Sequence, residues 1–156
     1  MILLPWVLPK GPLSYTRAAD TVDRLLAQKA QQTQYSRQDL RDVPKIYKIC
    51  SASAWREAER QGIYRGSADD LRDGYIHFST ASQVEGTARK HFAGQKALFL
   101  VEVEADVLGD ILRWERSRND ELFPHLYGEL DPRAVTSVHQ IHTRPDGSHD
   151  IPELKP

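Results

Sequence analysis

The segment GYIHFST, residues 74–80, places three side chains that can take part in chemistry at alternate positions of an apolar run. In a β-strand Tyr75, His77 and Ser79 share one face, because successive side chains alternate between the two faces. A phenol, an imidazole and a hydroxyl can each donate and accept hydrogen bonds, and the N–H groups of a following helix attract anions. This face is predicted to suit a phosphate- or carbohydrate-bearing ligand. The alternative is a helix cap beside a half-buried histidine.

A second histidine occurs in the segment LFPHLYGEL, residues 122–130. In an extended chain Phe123, His125 and Tyr127 point to the same side. The alternative is an aromatic-rich segment that closes the core, with Gly128 permitting a bulge. His125 and Tyr127 are therefore candidate ligand-binding residues, and His125 is also a candidate catalytic residue.

Trp114 and Glu115 are neighbours in the segment LRWERS. Trp114 offers a flat surface on which a ligand ring can stack. Burial next to an aromatic side chain can tune the charge preference of the Glu115 carboxylate, whereas an exposed glutamate on a turn is the simpler interpretation. Glu115 is a candidate catalytic residue, and Trp114 a candidate ligand-binding residue.

Periodicity and capping signals predict the elements that position these residues. Strands are predicted over residues 45–50, 74–80, 96–106 and 134–144. One helix is predicted to begin after Ser51 or Ser53 and to end at Gly62, and another to run from about Ser82 to Gly94. Because strands and helices alternate irregularly, the pattern favours an α+β domain over a doubly wound parallel sheet.

Length and composition predict one globular domain. The chain has 156 residues, of which 40% are hydrophobic and 28% charged. We expect this domain to occupy residues 44–144. An N-terminal extension, residues 1–43, is predicted to contain one amphipathic helix over 16–34, and residues 145–156 are predicted to form a flexible tail.

Charge and cysteine content limit the partners and the compartment. The formal net charge is −1, which predicts no DNA partner and no attraction to an anionic membrane, and no segment is long and apolar enough to suggest a membrane span. The single cysteine, Cys50, cannot form an internal disulfide and indicates a cytoplasmic protein. No glycine-rich phosphate loop, CxxC or HExxH motif is present, so neither a Rossmann dinucleotide site nor a zinc site is predicted.

The chain from about Lys45 to Val138 resembles a family of small bacterial proteins, the domain-of-unknown-function family nine-five-two. The segments that carry the resemblance are IYKI at 46–49, W at 55, GYIHFST at 74–80, TA with a following F at 87–92, WE at 114–115 and FPHLYG at 123–128. Several motifs in the same order over about 95 residues are much more specific than any one of them.

The resemblance implies an ADP-ribosyltransferase-like fold, in which a split, curved, mostly antiparallel sheet with a few short helices holds NAD in active relatives. It further implies that His77, Ser79 and Thr80 line the nicotinamide pocket. Lys48 stands where some relatives have a histidine, on the strand that holds the adenosine ribose. Glu115 or Glu129 would supply the late glutamate that assists attack at the ribose.

The resulting expectation is a cleft for a nucleotide-like ligand, NAD or ADP-ribose, with ADP-ribosyl transfer or NAD cleavage as the reaction. Its residues are His77, Glu115 and His125 for catalysis and Lys48, Ser79, Thr80, Trp114 and Tyr127 for binding. NAD would be a substrate, and the sequence fixes no cofactor. Two alternatives stay open. One is a binding module without catalysis, and the other is RNA 2′-phosphate chemistry.

Overall fold

The computed structural model describes residues 44–156. The extension 1–43 and its predicted helix lie outside the described residues. The strands are β1 (Lys45–Ser51), β2 (Ile76–His77), β3 (Ser79–Thr80), β4 (Leu98–Glu104), β5 (Leu112–Arg116), β6 (Leu122–Leu126), β7 (Val135–Thr143) and β8 (His149–Asp150). The α-helices are α1 (Ala52–Gln61), α2 (Ala68–Asp73) and α3 (Ala81–His91), and short 3₁₀ segments cover Ala105–Ile111, Arg118–Asp120 and Pro132–Ala134.

Local capping signals set the ends of the helices. The Ser51 hydroxyl accepts a hydrogen bond from the Ala54 N–H at the start of α1, and Gly62 ends that helix in a left-handed conformation, at φ 74°. Thr80 precedes α3, where its N–H donates to the Gln83 side chain. The two helices predicted within residues 44–144 are thus confirmed, with α3 beginning at Ala81.

The strands form two antiparallel sheets. The larger has the order β3-β1-β4-β7-β8 and the smaller the order β2-β6-β5. A shift of register between Glu102 and Val103 interrupts the pairing of β4 with β7, and such irregularities bend a strand and increase its twist. The result is a mixed α+β architecture with a curled antiparallel sheet and few helices, which confirms the predicted class.

The segment 74–80, predicted as one strand, is two short strands in different sheets. β2 pairs with β6, and β3 pairs with β1. Between them Phe78 is buried, and its N–H donates to the Pro124 carbonyl at 2.9 Å. Phe78 is therefore the crossing between the two sheets, the point where the chain passes from one to the other. The hydrogen bond of Phe78 links the sheets, and His77 and Ser79 lie in different sheets.

Apolar side chains cover both faces of the larger sheet. One cluster includes Ile46, Trp55, Phe78 and Leu126, and the other includes Tyr47, Val84, Leu100 and Ile141 on the opposite face. Burial on both faces explains why β1 and β4 are rich in apolar residues with little alternation.

The C-terminal segment packs on the domain, where the sequence predicted a flexible tail. β8 pairs with β7, and Ile151 and Leu154 contact the second apolar cluster. The Tyr47 hydroxyl donates to the Lys155 carbonyl at 2.7 Å. Isolated apolar residues in a short segment give no periodicity, so these contacts could not be inferred from the sequence pattern.

Candidate functional site

The smaller sheet brings the two histidines together. β2 and β6 pair His77 directly with His125, and their ring centroids lie 5.3 Å apart in an edge-to-face arrangement. Tyr75 stacks on the His125 ring at 4.2 Å between centroids and also contacts Tyr127. Because side chains two residues apart share a face of a strand, this sheet presents a continuous polar and aromatic surface.

Asp70 on α2 holds His77 in place. Its Oδ1 atom lies 2.7 Å from His77 Nδ1 and accepts the backbone N–H of His77 at 3.0 Å, while Oδ2 accepts the N–H of Ser67 at 2.7 Å. On the other side of the ring, His77 Nε2 lies 3.4 Å from Asp73 Oδ2. His77 is therefore flanked by two carboxylates, and its side chain is 37% exposed.

Lys48 completes the environment of Asp70. Its Nζ atom donates to both carboxylate oxygens, at 2.9 and 2.7 Å, and both side chains are buried. Burial alone would raise the pKa of Asp70, but the hydrogen bonds from His77 and the charge of Lys48 outweigh it and hold that pKa well below its usual value. Asp70 is thus a buried anion whose two oxygens are fully used.

Glu115 on β5 holds the second histidine. Its Oε2 atom lies 2.8 Å from His125 Nδ1, and the Tyr127 hydroxyl donates to both carboxylate oxygens at 3.0 and 3.2 Å. These hydrogen bonds, first from His125 and then from Tyr127, lower the pKa of Glu115. The Arg113 guanidinium lies over the Tyr127 ring at 4.5 Å. The His125 side chain is only 5% exposed, against 38% for Glu115.

A cleft of about 280 Å³ opens beside the histidines. Its wall includes side chains of β1, α2, α3 and β6 and of the crossing between the two sheets. They are Tyr47, Lys48, Ile49, Ser67, Asp69, Asp70, Arg72, Asp73, His77, Phe78, Ser79, Thr87, Lys90, His91, Phe92, Ser117, Arg118, Phe123 and His125. Much of this wall is polar, and Ile49, Phe78 and Phe123 contribute apolar surface to it.

The cleft is locally positive although the whole chain is slightly negative. Four Lys or Arg side chains and three Asp side chains line it, so its formal charge is +1 before any of its three histidines takes up a proton. Burial and the nearby cations Lys90 and Arg118 lower the pKa of His91. Within residues 44–156 neither Lys90 nor Arg118 forms a salt bridge, so both can meet an anionic ligand.

The predicted site residues divide into two groups. His77, His125, Glu115 and Tyr127 lie together, and Lys48 and Ser79 line the adjoining cleft. Two others lie apart from it. Trp114 is 40% exposed and, as the neighbour of Glu115 on β5, points to the opposite face. Thr80 ends β3 just before α3, and its hydroxyl contacts that of Ser82 at 3.1 Å.

Lys48 and Ser79 have structural partners. Lys48 is neutralised by Asp70, and the buried Ser79 hydroxyl lies 3.0 Å from the Thr87 hydroxyl. Neither arrangement could be inferred from the strand pattern that suggested these residues.

Asp70 and Arg118 were not predicted from the sequence. The segment SADD carries the signal of a capping box, since Ser67 and Asp70 are three residues apart and both of its hydrogen bonds form. That signal indicates a helix start. It does not reveal that the same carboxylate contacts a lysine 22 residues earlier in the chain and a histidine seven residues later.

Residues 44–156 contain neither a membrane-spanning helix nor a cluster of metal ligands. No helix in this part of the chain is long and apolar enough to cross a membrane. No group of three or more His, Cys, Asp or Glu side chains there is arranged to hold a metal ion.

Fold and site together define a small α+β protein with a histidine-lined, positively charged cleft. A family described as "Protein of unknown function (DUF952)" matches residues 49–138. The chain belongs to this family, whose description names no activity.

Solved structures of one relative, Protein CC0527 from Caulobacter crescentus, share this fold. Its crystal structure has a TM-score of 0.67 and 45% identity, covering 68% of this chain and 93% of that chain. A crystal structure of its double mutant has a TM-score of 0.67 and 44% identity, with the same coverage of both chains. Its solution NMR structure has a TM-score of 0.61 and 46% identity, covering 67% of this chain and 90% of that chain. No functionally curated protein matches the chain.

Proposed function

We propose that the cleft binds a nucleotide-like ligand, NAD or ADP-ribose, through the histidine-lined wall. The observation that carries this proposal is the pairing of His77 with His125, each held by a carboxylate, on the wall of a cleft with a positive formal charge. Positive charge and hydrogen-bond donors suit a diphosphate, and imidazole nitrogens suit ribose hydroxyls.

The size of the cleft limits how the ligand lies. At about 280 Å³ it is close to the lower end of the range for small-molecule pockets, roughly 300–1,000 Å³. One nucleotide half of a dinucleotide would fill it, and the other half would extend along the Tyr75 and Tyr127 surface. Lys90 and Arg118 would then meet the phosphates.

The reaction that we propose is transfer at a ribose carbon, on a fold of the ADP-ribosyltransferase type. Two antiparallel sheets linked by the crossing at Phe78 support that assignment, because a split, curved antiparallel sheet is what the sequence resemblance implies. Glu115 lies on the same surface as His125 and Tyr127, beside the cleft. Fold similarity alone would not justify an activity, so the proposal depends on this group of side chains.

RNA 2′-phosphate chemistry is the second candidate function. The positive formal charge of the cleft favours it, because a terminal phosphate would meet Lys90, Arg118 and His91 together. Binding that depends on such contacts weakens steeply as salt concentration rises.

Calorimetric and thermal-shift titrations test the proposal. The ligands are NAD, ADP-ribose, AMP and an RNA oligonucleotide that ends in a 2′-phosphate. A ligand at a hundred times its dissociation constant stabilises the folded state by about 2.7 kcal/mol. The variants are His77→Ala and His125→Ala, with His142→Ala as a matched control on the exposed face of β7.

We expect NAD or ADP-ribose to bind the wild type and the control, with a loss of at least tenfold in the two cleft variants. Binding of the RNA alone, with strong salt dependence, would favour the second candidate. Binding of none of the four ligands would refute both.

A further inference from the structure

The two histidines of the cleft differ in what their nitrogens face. Each has one nitrogen, Nδ1, within 2.8 Å of a carboxylate oxygen. An ionised carboxylate only accepts hydrogen bonds, so the proton of each ring lies on Nδ1 when the ring is neutral. The difference between the two rings therefore lies at Nε2.

His125 keeps its Nε2 atom open. Within the described part of the chain no group hydrogen-bonds this atom, and the ring forms part of the cleft wall. Tyr75 stacks on the ring and fixes its plane. With the proton on Nδ1, Nε2 carries a lone pair and can take a proton from a group that enters the cleft.

His77 has a carboxylate near both nitrogens, since Nδ1 lies 2.7 Å from Asp70 and Nε2 lies 3.4 Å from Asp73, but only the contact with Asp70 is a hydrogen bond. Only the doubly protonated ring can donate from both nitrogens at once. Asp73 is 32% exposed and bound to the exposed Arg72, so an anionic ligand can replace its long contact with Nε2.

Both oxygens of Glu115 already have hydrogen-bond partners. His125 occupies Oε2, and the Tyr127 hydroxyl contacts both oxygens. A carboxylate that assists attack at a ribose needs an oxygen free to meet the ligand. The contacts instead suit a carboxylate that orients a histidine, as in catalytic triads.

We infer that the two histidines of the cleft have different roles. His125 is the proton acceptor, and His77 is the hydrogen-bond donor that holds the anionic part of the ligand. Glu115 and Asp70 are then positioning residues, which fix the protons of these rings on Nδ1. The assignment of these roles to a reaction rests on the proposed function.

In that reaction the bond from C1′ of the nicotinamide ribose to the nicotinamide nitrogen breaks, and its electron pair leaves with nicotinamide. A bond forms from C1′ to the oxygen of water or of another hydroxyl. The proton of that hydroxyl goes to Nε2 of His125. His77 donates hydrogen bonds to the diphosphate throughout.

The side chains that set the charge around the pair come from every element packed against it. They are Lys48, Asp70, Asp73, Tyr75, His91, Arg113, Glu115 and Tyr127.

Nuclear magnetic resonance of the full chain labelled with ¹⁵N at histidine tests the inference without any ligand. His77→Gln and His125→Gln assign the two rings. We expect the neutral ring of His125 to carry its proton on Nδ1 and to leave Nε2 unprotonated, and the His77 ring to hold a proton on Nδ1 against Asp70. A proton on Nε2 of the neutral His125 ring, or a His77 ring without a proton on Nδ1, would overturn the assignment.

Two variants show whether Glu115 positions the His125 proton or only contributes to packing. Glu115→Ala should remove the preference of His125 for the Nδ1–H form, whereas Tyr127→Phe should preserve it because Glu115 stays in place. An unchanged His125 signal in Glu115→Ala would overturn the positioning role. If Glu115→Ala does not fold, the spectra of the wild type and of Tyr127→Phe still show whether His125 carries its proton on Nδ1. The NAD titration fails or succeeds independently of these spectra, so the two proposals can be refuted separately.

Discussion

Replacing Asp70 by asparagine is expected to lower the free energy of unfolding by about 3–5 kcal/mol, as is typical when one partner of a buried ion pair is removed. Asp70 accepts five hydrogen bonds, two of them from the Lys48 ammonium. Asparagine has one acceptor oxygen, and its NH₂ group would face N–H donors such as the Lys48 ammonium instead of accepting from them. The side chains are 1% and 7% exposed, so solvent screens the lost charge very little.

The loss should depend on pH in a defined direction. The folded-state pKa of Asp70 lies below its ordinary value of 3.8. The charged side chain therefore stabilises the folded state fully above that value, and this contribution is lost as pH falls through the folded pKa. The difference between wild type and Asp70→Asn should be constant near neutral pH and should shrink progressively below about pH 4.

Urea unfolding at several pH values measures both effects, with the midpoint shifting at an unchanged slope. Asp69→Asn is the matched control, because Asp69 is exposed and pairs with Arg72 on the surface. That variant should stay within about 0.5 kcal/mol of wild type. An equally small effect for Asp70→Asn would refute the buried ion pair.

Three further predictions concern single positions. Cys50 should resist iodoacetamide in the folded protein and react in urea, as seen by mass spectrometry, because burial raises the pKa of its thiol to about 12. Labelling of the folded protein at the rate of the unfolded chain would contradict that burial. Ser51→Ala should cost about 1 kcal/mol in urea unfolding, since Ala54 N–H loses its acceptor; no loss would mean that the cap contributes nothing. Trp114→Ala should leave NAD affinity unchanged in calorimetry, because Trp114 faces away from the cleft, and a severalfold loss would place Trp114 in the ligand site.

Local signals correctly predicted five of the regular elements, namely β1, β4, β7, α1 and α3. The β-forming residues of 45–50 and the apolar run of β4 identified central strands, and Ser51 and Gly62 marked the ends of α1. Such signals act over a few residues, so one sequence suffices to detect them. The break of the segment 74–80 at Phe78 was not predicted, because it depends on two partner strands far away in the chain.

The candidate site was predicted in part for the same reason. His125 and Tyr127 were expected on one side of their segment, and both contact Glu115. Trp114 was expected to join them because it is adjacent to Glu115 in sequence. In a strand, adjacent residues point to opposite faces, and only the pairing of β5 with β6 decides which face meets the cleft.

The sequence by itself determined which side chains share a face of each element and where the helices begin, because these properties repeat with the local period of the backbone. The tertiary structure alone decided that His77 lies opposite His125 and that Asp70 connects Lys48 with His77. Register between distant strands is set by burying their apolar faces together, and no local period encodes it. The chemistry that we propose for the cleft depends on those long-range pairings.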